Sequence, residues 1–180
     1  MTKRMDVTLT VGFDADQISD QLAFQFTSRD GGRPEHPTGL FAAEIHFNKD
    51  EIFHFAVIGT GKLERFASFE ILDCCMVTRP LVIAGDAKST VYAAPSPFKE
   101  PGGASYPMAG FEILKRGEHD GLRVTQTQGW KQTLTVSHPD GRWEMSVYLT
   151  VRINRPHHAS EVRVFMFDPE SQVGAGGGDD

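Results

Sequence analysis

Residues 142–167 read RWEMSVYLTVRINRPHHASEVRVFMF, and the alternation along this stretch decides the fold class. In the first arm Trp143, Met145, Val147, Leu149, Val151 and Ile153 alternate with Glu144, Ser146, Tyr148, Thr150 and Arg152. Successive side chains of a strand point to opposite faces, so this arm is a strand with one apolar face. The returning arm carries Val162, Val164 and Met166 on one face and Phe165 and Phe167 on the other. Both of its faces call for cover, which is expected of an inner strand of a packed sheet.

The same period recurs outward from this hairpin. Val7, Leu9 and Val11 alternate with Asp6, Thr8 and Thr10 and predict a first strand ending at Gly12, with Asp14 or Asp16 capping a helical turn before Leu22, Phe24 and Phe26. Within 40–58, apolar register predicts a hairpin in which Phe47 faces Phe53 and Ile45 faces Phe55, placing His46 across from His54 on the opposite face. Further strands are expected in 66–83, 90–94, 111–114, 122–127 and 130–138, with Arg79-Pro80 stopping a ladder and His-Pro-Asp-Gly, 138–141, forming a type I turn. Nine or ten short strands with scarcely any helical periodicity predict an all-β, antiparallel β-sandwich, with immunoglobulin-like and jelly-roll arrangements both open and a closed barrel as second choice. Residues 1–172 read as one domain and 173–180, VGAGGGDD, as a flexible tail.

Composition narrows the partners. A chain of 180 residues can bury roughly 70% of the surface its unfolded form exposes, so it needs no staples. Eighteen basic against twenty-four acidic residues give a net charge of -6, without the basic surface that nucleic acid or an anionic membrane requires. Cys74 and Cys75 are adjacent in a strand-like run and point to opposite faces, so two free thiols are expected. With no Asn-X-Ser/Thr sequon, no apolar run where a signal peptide needs one and no stretch of ~18 apolar residues, a cytoplasmic location is expected.

Four groups of residues invite a chemical reading. GTGKL, 59–63, resembles the end of a phosphate-binding loop, but Ala56 stands where that loop needs its first glycine and Leu63 where it needs Ser or Thr, so it reads as a glycine turn. His46 and His54, with Glu44 or Asp50 as third ligand, form the candidate metal site, since imidazoles on cross-strand neighbours can share one ion. Asp14, Asp16 and Asp20 have the spacing with which a calcium loop opens, but Ser19 and Gln25 occupy the positions of its glycine and glutamate. Phe98 and Tyr106, in the stiff loop PSPFKEPGGASYP, 95–107, are candidate ligand-binding aromatics. Signatures of serine hydrolases, zincins and thioredoxin-like enzymes are missing.

The opening DVTLTVGFDADQI and the ending GRWEMSVYLTVRI…VRVFMFDPESQVG resemble small bacterial proteins of the AidA/PixA inclusion-body type and the related DP-EP group. The resemblance covers about the outer third of the chain. It implies a compact cytoplasmic β-sandwich, in some members accumulating as a protein body, and carries no functional residues with it. AidA-type chains end Asp-Pro-Tyr, whereas Glu170 follows Asp168-Pro169 here.

The expected function is therefore non-catalytic: binding or self-assembly, with end loops 29–39 and 95–107 as contact surfaces and no cofactor. A second copy of the chain is the expected partner, with a small molecule or another protein as alternative. A metal-dependent site on the 40–58 hairpin and a carbohydrate-binding module are the competing readings.

Overall fold

The computed structural model describes residues 6–28, 45–80, 82–85, 90–92, 94–99, 105–137, 141–167 and 170–173. Glu44, loop 29–39, residues 100–104 of the second loop, residues 138–140 of the expected turn and the tail from 174 lie outside them. The strands, in chain order, are β1 (Asp6–Asp14), β2 (Ala23–Ser28), β3 (Ile45–Phe47), β4 (Ile52–Lys62), β5 (Ser68–Pro80), β6 (Val82–Gly85) and β7 (Thr90–Tyr92). They continue with β8 (Ser105–Pro107), β9 (Phe111–His119), β10 (Arg123–Trp130), β11 (Leu134–Thr135), β12 (Gly141–Asn154), β13 (Glu161–Phe167) and β14 (Glu170–Val173).

These strands form a β-sandwich. The first sheet has the order β2-β1-β4-β10-β9, with β11 also on β4; the second has β3-β14-β12-β5-β8, with β13 also on β12; β6 and β7 pair separately. Most pairs are antiparallel, but β1 runs parallel to β4 and β14 parallel to β3. The core lies between the layers, where Val7, Leu9, Val11 and Phe13 of β1 face Trp143, Met145, Val147, Leu149, Val151 and Ile153 of β12, all buried. Phe13 joins the two layers directly, its ring 4.8 Å from that of Phe165 and 5.2 Å from that of Phe69.

Three expectations change. The 40–58 hairpin does not form: β3 pairs with β14 in the second sheet, whereas β4 lies in the first between β1 and β10. Phe47 and Phe53 do meet, with ring centroids 5.8 Å apart, but across the sandwich instead of along a ladder. Alternation tells which side chains face the core, and two strands facing each other through the core satisfy it as well as two hydrogen-bonded neighbours do. The chain crosses between layers in a turn where Asp50 has φ 69° and the buried Glu51 carboxylate accepts hydrogen bonds from the Asn48 backbone N–H and side-chain amide.

Second, among the described residues β13 pairs with β12 alone, apart from a single parallel bridge between Met166 and Gln21. It is an edge strand. Phe165 and Phe167 point inward, while Val162 and Val164 stand exposed on the other face. Third, residues 14–22 form a turn and a bridge, not a helical turn; β1 runs on to Asp14, whose carboxylate accepts the Asp16 N–H.

GTGKL also turns out differently from a turn, since β4 continues through it to Lys62. Gly59 and Gly61 occupy inward positions where a Cβ would lie 2.7 Å from the Phe69 ring and 2.3 Å from Phe66 Cβ. The glycines make room for core aromatics.

Polar side chains close one margin of the sandwich. β8 covers β5 at Cys75–Val77, and among the described residues no strand pairs with the main chain near Phe69 on that side. Gln126 and Gln128, buried on the inner face of β10, both donate to the Phe69 carbonyl, at 3.0 and 2.8 Å, and Gln126 also accepts the Phe69 N–H. Arg116 adds a bond to the Ala67 carbonyl at 2.7 Å. An unpaired buried peptide group costs about 1–3 kcal/mol, so these amides replace a missing strand.

Candidate functional site

The residues singled out from sequence are dispersed by the fold. His46 lies on β3 at the register of Gln172, in the second sheet, whereas His54 pairs in register with Thr8 on the first. The cross-strand geometry behind the proposed metal site is absent. Among the described residues no group of three His, Cys, Asp or Glu side chains is placed to hold a metal ion. His54 instead lines an open groove of about 480 Å³ on the outer face of the first sheet, with Asp6, Thr8, Glu112 and Lys131 around it.

Phe98 and Tyr106 are core residues, 2% and 3% exposed. Phe98 packs edge-on to Phe47 and Tyr106 and lies 5.1 Å from Phe53, and the Tyr106 hydroxyl donates to Ser96 Oγ. Proline stiffens the loop, but the aromatics plug the end of the sandwich and are not offered to a ligand. The burial of about two large rings outweighs any gain from holding them in solvent.

Two of the three clustered aspartates, Asp14 and Asp16, are paired with arginines. Burial pulls the Asp14 carboxyl upward, but the Asp16 N–H and Arg123 outweigh it and hold it below the ordinary range. Asp16 accepts from Arg65 and Arg155, at 3.3 and 3.4 Å. Arg155 is also bound to Glu161 at 2.8 Å and donates to the Ala15 and Arg65 carbonyls, an arrangement that keeps its guanidinium charged. Arg163 reaches the Gln17 and Ser19 carbonyls while its guanidinium lies 4.6 Å from the centre of the Phe165 ring. Loop 14–22 is thus stitched to β13 by arginines, which also take up two of its three acidic groups.

The outer face of the second sheet has a different character. Across β5, β12 and β13, successive rungs read Cys75-Tyr148-Met166, Asp73-Thr150-Val164 and Glu70-Arg152-Val162. Tyr148, Val162 and Val164 are 49%, 56% and 58% exposed, and Leu72, extruded by the bulge opposite Thr150 and Val151, adds a fourth exposed apolar side chain. Two cross-strand ion pairs bracket these rungs, Arg79–Glu144 at one end and Arg152–Glu70, at 2.9 Å, at the other. Four exposed apolar side chains thus share one sheet face with Asp73, Thr150 and two ion pairs among and beside them, a grouping of the kind that marks contact sites. The sequence signal for it was the two-faced apolar character of Val162–Phe167.

The two thiols are divided by the sheet. Cys75 is half-buried on this outer face, while Cys74 points into the core and its thiol is pushed up to about 12, by burial first and then by the neighbouring Cys75 and Asp73. The folded state keeps the Cys74 proton at pH values where the unfolded chain loses it. Its share of stability is therefore whole below the ordinary thiol range and lost as pH rises from there toward about 12. Urea titrations over alkaline pH should show stability falling for the wild type, and less steeply for Cys74→Ala.

Among the described residues no helix is long and apolar enough to cross a membrane. No protein-family model and no curated protein sequence matches this chain.

Proposed function

We propose that this protein acts by binding, not catalysis, and that its first partner is a second copy of itself, docked through the outer face of the second sheet. The observation that carries this reading is the exposed row Tyr148, Val162, Val164 and Leu72 between two ion pairs. Contiguous apolar surface on a sheet face is costly to leave in water and marks contact sites. A two-fold axis lying in the interface, perpendicular to β12 and centred on the Cys75-Tyr148-Met166 rung, would lay Tyr148 on Tyr148. It would also bring the Arg79–Glu144 end of one copy to the Arg152–Glu70 end of the other, where opposite charges can meet. The resemblance of the chain ends to inclusion-body proteins agrees with such self-association.

Val164→Lys tests the reading, because an exposed edge position tolerates the change without cost to the monomer. In native mass spectra of untagged protein the wild type is expected as a dimer or larger and the variant as a monomer. A variant that assembles like the wild type would sink the proposal. Cys75 offers an independent readout: its reaction with a thiol reagent should slow as protein concentration rises.

A further inference from the structure

The opposite sheet holds a second, unrelated feature. At the end of the first sheet, one rung places His119 of β9, Arg123 of β10 and Lys62 of β4 side by side on the outer face. Like charges directly opposite each other on a sheet are unfavourable. Asp14 compensates Arg123, which also donates to Thr60 Oγ1. Neither Lys62 nor His119 has an ion-pair partner among the described residues.

Beside this rung lies an open cavity of about 630 Å³ lined by Lys62, Leu63, Glu64, Gly121, Leu122 and Arg123. Its walls come from the turns after β4 and between β9 and β10, which the Leu63 N–H joins by donating to the Leu122 carbonyl at 2.8 Å. Asp120 and Gly121 both have positive φ, 54° and 63°, which sets a tight turn and projects Leu122 outward, 71% exposed. Leu63 is 41% exposed on the facing turn. Cations and leucines thus meet in one concavity.

We propose that this notch binds a small organic monoanion with an apolar tail, its carboxylate held by Lys62 and Arg123 and its hydrocarbon laid along Leu63 and Leu122. Asp14 already compensates Arg123, so the net charge attraction comes from Lys62, and a charge-assisted hydrogen bond from each donor fixes the head group. Glu64, also in the lining, disfavours a second negative group on the ligand. The leucines contribute affinity in proportion to the apolar area they cover.

The test is isothermal titration of the full chain with octanoate, octanol and acetate, repeated on Lys62→Gln. Saturable binding of octanoate alone, weakened roughly tenfold or more in Lys62→Gln, supports the site. The same variant should have an unchanged urea midpoint without ligand, because Lys62 is exposed and has no ion-pair partner among the described residues. Absence of saturable octanoate binding overturns the proposal. So does equal binding of octanol, or octanoate binding that Lys62→Gln leaves intact, since either would mean a merely apolar patch.

Discussion

Phe98→Ala is expected to lower the unfolding free energy by about 3–5 kcal/mol, the range for deleting a fully buried aromatic ring. The ring lies among Phe47, Phe53 and Tyr106, and the truncation leaves a cavity that β3 and β4, belonging to different sheets, cannot both close. Chemical denaturation monitored by tryptophan fluorescence measures it. A loss of less than about 1 kcal/mol would mean that Phe98 lies at the surface as an exposed aromatic, the role its loop suggests from sequence. Tyr106→Phe should cost much less, because only the hydroxyl bond to Ser96 is lost.

Gly61→Ala should destabilise by about 3 kcal/mol or more, an unusually large effect for adding one methyl group. The new Cβ would stand 2.3 Å from Phe66 Cβ and 3.1 Å from Ala15 Cβ, and both are held by buried main chain, so no side-chain rotation removes the clash. The neighbouring Lys62→Gln, on the opposite face, serves as control. A small effect of Gly61→Ala, with the midpoint near that of the wild type, would place the glycine in an open turn, as GTGKL reads in isolation.

These two positions show what alternation does and does not encode. Val7, Leu9 and Val11 and the alternate positions from Trp143 to Ile153 announce their inward faces plainly, and the structure buries every one of them. Pairing is less legible. Ile45–Phe47 and Ile52–Val57 carry the same inward phase whether they share a ladder or oppose each other through the core, and the second arrangement is the one adopted. The His46/His54 site depended on that choice, and it dissolved when the strands separated into two sheets. Gln126 and Gln128 were hidden for a related reason: polar residues at inward phase look like surface until the unpaired Phe69 main chain that needs them is in view.

The candidate interface was half visible. Apolar residues on both faces of 161–167 signalled that two surfaces needed cover, and expecting the chain itself to supply both led to the inner-strand reading. The core covers Phe165 and Phe167, while Val162 and Val164 stand exposed on the outer face. In the basic rung, His119 and Arg123 flank one tight turn, but Lys62 lies 57 and 61 positions before them and joins them only through the register of β4 and β10, which alternation does not encode.

Sedimentation velocity of the untagged wild-type protein over a dilution series addresses self-association most directly. The weight-average sedimentation coefficient should rise with concentration toward that of a dimer or larger species, and Val164→Lys should stay at the monomer value throughout. A single monomer boundary for the wild type at every concentration would contradict the account.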